Sequence, residues 1–325
     1  MSSLTILANR LKLLRDVMRN DGRVSAPFQT VMIEVTAICN LDCPICPARR
    51  TENLMVRETK QISEQDFRRI VDLTHDMTET YCLNMWGEPV LHRKFQEFID
   101  YISARGRNIW FSTNLNYSGR IAEALSANPL LHIICSIDGW DEASYLDYRW
   151  GGRFELMRKN LAILAGGKCN VYPQYLLARD CPNPEEVKAK FSKFIADTTG
   201  TTDRIIFKTK LDNIRNDPGL PIPGRCSSMY AGLYFNSDGI LMPCCTNVRK
   251  DVFLGHVSRF TREELRNGEA VRSLRRRILE DKDQFPSCVS CGGEDQQRMI
   301  TDKLKERAKR PFARKRPIAD PANRV

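Results

Sequence analysis

The chain has 325 residues, 42% hydrophobic and 28% charged, with 50 Lys/Arg against 40 Asp/Glu; at roughly 100–200 residues per domain this is enough for a full core plus a smaller module, and it excludes a disordered or fibrous polymer. No run approaches the ~18 uncharged apolar residues of a membrane span, and Arg10, Lys12, Arg15 and Arg19 interrupt the leucines of the first twenty residues, unlike a secretory signal. The chain is therefore expected in the cytoplasm, where its twelve cysteines point to metal or redox chemistry rather than disulfides and its four histidines are too few for a mixed Cys/His finger.

Residues 1–20 predict a helix with Leu4, Leu7, Leu11 and Leu14 along one face, a brace or lid for the rest of the fold rather than a membrane anchor. This N-terminal segment is assigned residues 1–29. Strand candidates at 31–36, 81–85, 108–112, 132–137, 171–177 and 205–208 then alternate with helix candidates at 64–75, 93–105, 120–127, 154–165 and 185–197. Repeated βα units over 30–211 predict an α/β fold, a partial (β/α)6 TIM-like barrel, because a closed eight-unit barrel takes ~250 residues. Its chemistry is expected in the loops that follow the strands.

A Pro- and Gly-punctuated stretch at 212–224 ends the barrel. Residues 230–235, the turn 236–239 and residues 240–242 predict a β-hairpin, followed by one helix over 262–279. The fold class thus gains a small C-terminal cysteine-rich β-hairpin/helix module over 212–297. Residues 298–325 form a basic tail, in which 301–325 carry nine Lys/Arg against Asp302, Glu306 and Asp320. With only Phe312 as an aromatic partner it is taken as solvated, and nucleic acid is not expected as a partner.

Two cysteine constellations carry the chemistry. Directly after the first strand, Cys39, Cys43 and Cys46 form a C-x3-C-x2-C run. Three thiolates on one short loop hold three irons of a 4Fe–4S cluster and leave the fourth open. The second set is Cys226, the pair Cys244 and Cys245, and the terminal Cys288-x-x-Cys291. Four thiolates from a hairpin and a C-x2-C close completely around a metal, and spacing alone admits structural zinc as well as iron–sulfur.

The first run resembles the signature of the radical S-adenosylmethionine (SAM) superfamily. That resemblance implies SAM at the open iron, cleaved to a 5′-deoxyadenosyl radical that abstracts a substrate hydrogen, with the electron supplied by a flavodoxin or ferredoxin. Trp86-Gly87-Glu88-Pro89 is similar to the family's GGEP element, with tryptophan in place of the first glycine; the resemblance implies that Gly87 and Glu88 receive the methionine ammonium. Ser112 with Asn114, and Ser136 with Asp138, resemble segments that bind the ribose and line the pocket. Arg149 resembles an arginine that pairs with the methionine carboxylate.

Beside such a barrel, the second constellation is similar to SPASM auxiliary-cluster modules and, with too few cysteines for two extra clusters, to their shorter twitch form. The resemblance implies Cys226, Cys244, Cys288 and Cys291 as ligands of an auxiliary 4Fe–4S cluster. It leaves Cys245 as a spare thiol, a packing residue or a hydrogen-atom donor, with the two members of the pair interchangeable.

About thirty residues precede the first strand, too few for a leader-peptide recognition or cobalamin domain, which favours a small-molecule substrate. The layout resembles enzymes of aminoglycoside biosynthesis, such as the neomycin C epimerase and the butirosin-pathway dehydrogenase. The expectation is an epimerase of an aminosugar carbon with Cys245 as donor. The alternatives are a dehydrogenase of a secondary alcohol and a peptide- or protein-modifying enzyme. Glu34, Asp42, Asp138 and Asp141 are the acidic residues near strand ends that such a polycationic sugar would meet.

Overall fold

The computed structural model describes residues 3–51, 53–178, 180–209, 226–248, 250–289 and 291. Helix α1 (Ser3–Arg19) leads into β1 (Thr30–Ile33), and the chain continues through α2 (Glu64–Thr74), β2 (Thr80–Cys82), α3 (Phe95–Ser103), β3 (Asn108–Thr113), α4 (Gly119–Ser126), β4 (Leu131–Ser136), α5 (Glu142–Tyr148), α6 (Phe154–Ala165), β5 (Asn170–Leu177), α7 (Pro184–Thr199) and β6 (Ile206–Thr209). After the stretch 210–225, which lies outside the described residues together with the basic tail, come α8 (Ser228–Ala231), β7 (Gly232–Phe235), β8 (Ile240–Met242), β9 (Gly255–His256), α9 (Arg262–Asn267) and α10 (Glu269–Glu280).

The strands form one nine-stranded sheet in the order β6-β5-β4-β3-β2-β1-β7-β8-β9. Strands β1 to β6 are parallel to their neighbours, and this is the expected partial (β/α)6 barrel. Its strands alternate as a covered sheet must: Ile109, Phe111 and Thr113 of β3 and Leu131, Ile133 and Cys135 of β4 point into the core. Helix α2 starts where Ser63 accepts from the Asp66 backbone N–H, and it buries Phe67, Ile70, Val71 and Thr74, one stripe at helical spacing. Phe67 stacks on Phe98 of α3 with centroids 3.8 Å apart.

Three features differ from the sequence expectation. Strand β7 does not open a separate sheet: it pairs in parallel with β1, Thr30 opposite Gly232 and Ile33 opposite Phe235, so the hairpin extends the barrel's own sheet. The single helix over 262–279 is two, because Gly268 takes an extended ψ of 150° between α9 and α10. And the leucine face of α1 is not its packing face: Leu4, Leu7 and Leu11 are exposed, while Leu13 and Val17 are buried with Asn9 and Asp16. Polar contacts decide that rotation. Asn9 and Arg10 both bond Glu79, and Asp16 accepts from the backbone N–H groups of Ser25 and Ala26.

A buried ion pair locks the sheet's middle. Glu34, just past β1, accepts from Arg57 Nε at 2.6 Å, with both side chains fully enclosed. Burial pushes the Glu34 carboxyl up and the guanidinium draws it back. Glu34 also accepts from the Ser237 backbone N–H, and Arg57 donates to the Val248 carbonyl, so the pair ties β1 to the hairpin turn and to the segment after β8.

Candidate metal and cofactor centre

The loops after β1, β2, β3 and β4 converge on the Cys39–Cys46 run. Gly87 explains how closely two of them approach. Its φ is +73°, and a Cβ there would lie 2.4 Å from the Thr36 carbonyl oxygen and 2.9 Å from that of Ile38, so only glycine fits against the strand leading to Cys39. Glu88 follows, buried, its backbone N–H donating to Ile38. Its carboxylate accepts from the Thr113 hydroxyl and from the Asn114 backbone N–H, each at 2.7 Å. Burial nevertheless pushes its pKa up to about 7, with the Asn114 and Thr113 bonds pulling it down.

Asn114 donates through Nδ2 to Asn40 Oδ1 at 2.8 Å and reaches Cys39 Sγ at 3.7 Å. Burial and then the nearby Glu88 carboxylate push the Cys39 thiol up to about 12. Arg149, which ends α5, donates from one terminal nitrogen to Cys43 Sγ at 3.5 Å and from the other to Asp138. Asp138 sits past β4 with φ at +61° and also accepts from the Leu176 backbone N–H at 2.6 Å, joining β4 to β5. The Arg149 charge is therefore already matched inside the protein.

The structure thus brings Cys39, Cys43, Gly87, Glu88, Asn114, Asp138 and Arg149 into one network. Cys46 shares the loop, its N–H donating to the Cys43 carbonyl. Ser112 and Ser136 enter as strand residues: Ser112 donates its N–H to Asn84 Oδ1, and the buried Ser136 lies opposite Gln174 in the β4–β5 ladder. Sequence reasoning missed Asn40, Asn84 and Asn116, which knit the loops together; Asn116 bonds Tyr145 and Asn114. The available signal was polar amide residues clustered just past strand ends. The acidic residues expected to meet a cationic sugar are committed elsewhere: Glu34 to Arg57, Asp42 to Arg50 and Thr51, Asp138 to Arg149, and Asp141 to capping α5.

The second constellation also converges. Burial first, and then the nearby Cys244, Cys226 and Cys291, push the Cys288 thiol up to about 12. Cys244 is raised to about 12 by burial, then by Cys245, and its Sγ lies 3.1 Å from Thr246 Oγ1. Among the described residues no three Cys, His, Asp or Glu side chains draw together tightly enough for a single metal ion. The donor chemistry fits a thiolate-ligated cluster: buried thiols that disfavour each other's ionisation become thiolates once a cation shares their charge.

Residues 33–172 match the radical SAM superfamily, and residues 226–292 match SPASM, an iron–sulfur cluster-binding domain. The chain thus carries a radical SAM domain followed by a SPASM domain. As a radical SAM protein with a SPASM domain it takes a SAM-binding 4Fe–4S cluster, an auxiliary cluster and SAM.

Mycofactocin maturase MftC of Mycolicibacterium smegmatis is 28% identical over 133 residues, 41% of this chain and 33% of the relative; MftC of Mycobacterium tuberculosis matches to the same extent. The matched region spans about a third of the length of these curated relatives. Among solved structures, BtrN in complex with AdoMet and 2-DOIA has a TM-score of 0.56 at 13% identity, covering 83% of this chain and 96% of that one. Streptococcus suis SuiB bound to precursor peptide SuiA has a TM-score of 0.59 at 12% identity, covering 90% and 77%. At these identities the structures establish the fold alone.

Proposed function

We propose that this radical SAM enzyme modifies a peptide or protein. When bound, SAM and its reduced cluster supply a 5′-deoxyadenosyl radical that removes a hydrogen atom from the substrate. Cys39, Cys43 and Cys46 would hold that cluster, and Cys226, Cys244, Cys288 and Cys291 the auxiliary one. Glu88 and Asn114 brace the first cysteine loop from the side of β2 and β3, while Arg149 braces it from α5 and presents positive charge at Cys43. The electron would come from a flavodoxin or ferredoxin in the cytoplasm. The observation that carries the peptide reading is the sequence match to a maturase, MftC. The pairing of Glu34 with Arg57, Asp42 with Arg50 and Asp138 with Arg149 supports it by matching three of those four acids within the protein.

A second reading, epimerisation or dehydrogenation of a small sugar or cyclitol, keeps one observation in its favour. Cys245 is a fifth cysteine in the module, half-buried beside Cys244, and in that reading would serve as hydrogen-atom donor. The test is anaerobic turnover of the reduced, reconstituted enzyme in deuterated water with two substrate sets, a synthetic peptide library and a panel of aminoglycosides, read by mass spectrometry. The proposal predicts mass-changed peptide with 5′-deoxyadenosine. A sugar heavier by one unit, lost in Cys245→Ala, or a sugar lighter by two, would replace it with the second reading.

A further inference from the structure

Trp86 occupies the position where the GGEP-like element carries a glycine, and it makes two contacts that no glycine makes. Its indole Nε1–H donates to the carbonyl oxygen of Cys245 at 2.8 Å. Its ring packs, together with Cys46, against Ala48, Met55 and Val248, a small apolar cluster apart from the main core. One side chain on the loop after β2 therefore shares an apolar cluster with Cys46 of the first run and bonds Cys245, next to Cys244, in the second.

The hydrogen bond reaches further than the carbonyl. The Cys245 carbonyl belongs to the peptide that leads into Thr246, and the Thr246 hydroxyl lies 3.1 Å from Cys244 Sγ. Fixing that peptide plane fixes where Thr246 sits, and a hydrogen bond to a ligating sulfur is one of the levers that set an iron–sulfur cluster's potential. The ring packs against Ala48, Met55 and Val248, and its N–H takes the Cys245 carbonyl as its partner.

We infer that Trp86 is a positioning residue that joins the two cluster sites, its ring seating the Cys46 loop and its N–H holding Cys245 and Thr246 so that Thr246 addresses Cys244. The inference rests on the cysteine assignment proposed above. It makes the GGEP-like loop part of the auxiliary site as well as of the SAM site.

Two variants separate the ring from its N–H. Trp86→Phe keeps most of the packing and removes the donor; Trp86→Gly restores the residue common at this position and removes both. Each is reconstituted anaerobically, and iron per chain, the EPR spectrum and the midpoint potential of the auxiliary cluster are measured. Added SAM perturbs only the cluster with an open iron and so tells the two signals apart. The expected result is full iron in Trp86→Phe with a shifted auxiliary potential and altered EPR signal, and loss of auxiliary iron in Trp86→Gly. Thr246→Val should shift the potential in the same direction, with little further change when combined with Trp86→Phe. Wild-type potential and EPR in Trp86→Phe, with full iron in Trp86→Gly, would overturn the role of Trp86 while leaving the cysteine assignment standing. A wild-type chain that takes up no iron at Cys226, Cys244, Cys288 and Cys291 would overturn both.

Discussion

Glu88 has the most distinctive electrostatics of the candidate centre. Buried and bonded by Thr113 and Asn114, its carboxyl is pushed from 4.5 up to about 7, burial outweighing the hydrogen bonds. Between those values the folded chain holds a proton that the unfolded chain has released. Stability contributed by this group is therefore present at low pH and declines as pH rises from about 4.5 to about 7. In the metal-free protein that slope amounts to at most roughly 3 kcal/mol. Glu88→Gln abolishes it, so the change in urea midpoint between pH 5 and pH 8 should shrink in the variant; an unchanged pH dependence would mean the carboxyl titrates normally. Glu88 was legible in the sequence through its place after a strand and beside Gly87. Its partners were not, because Thr113 and Asn114 meet it only through the β2–β3 pairing.

At the scale of elements, the strands were legible because apolar residues alternate under a covered sheet, and the longer helices because they bury one stripe. Helix α5 was missed: seven residues burying only Tyr145 leave no periodicity, and its signal is the Asp141–Ser144 capping box. Helix α1 was recognised but turned the wrong way. Its leucines are the larger apolar set, yet the hydrogen bonds of Asn9 and Asp16 hold the opposite face against the body. Leu13→Ala should therefore lower stability by about 2–5 kcal/mol, whereas Leu7→Gln and Leu11→Gln should each stay within about 0.5 kcal/mol. Equal losses in chemical denaturation would restore the leucine face as the packing face.

At the scale of the molecule, the hairpin of the cysteine-rich module is a continuation of the barrel sheet. That continuity was invisible in the sequence because parallel pairing of Val31 with Leu233 leaves no local trace. The Glu34–Arg57 pair braces it, contacting Ser237 in the hairpin turn and Val248 beyond β8. Removing one partner strands a buried charge, so Arg57→Met should cost about 3–5 kcal/mol, while Arg57→Met with Glu34→Gln should cost clearly less. A single variant within 1 kcal/mol of wild type would show that the pair does not hold the sheet.

The proposed function requires two thiolate-ligated clusters in this chain, the first with SAM at its open iron. Iron and sulfide per chain, measured with 5′-deoxyadenosine formation after anaerobic reconstitution and reduction, test it most directly. About eight irons and as many sulfides are expected in the wild type, and about four of each in the Cys39, Cys43 and Cys46 alanine variant, with 5′-deoxyadenosine abolished there. Stoichiometric zinc in place of iron, or 5′-deoxyadenosine formed undiminished without those three cysteines, would contradict it.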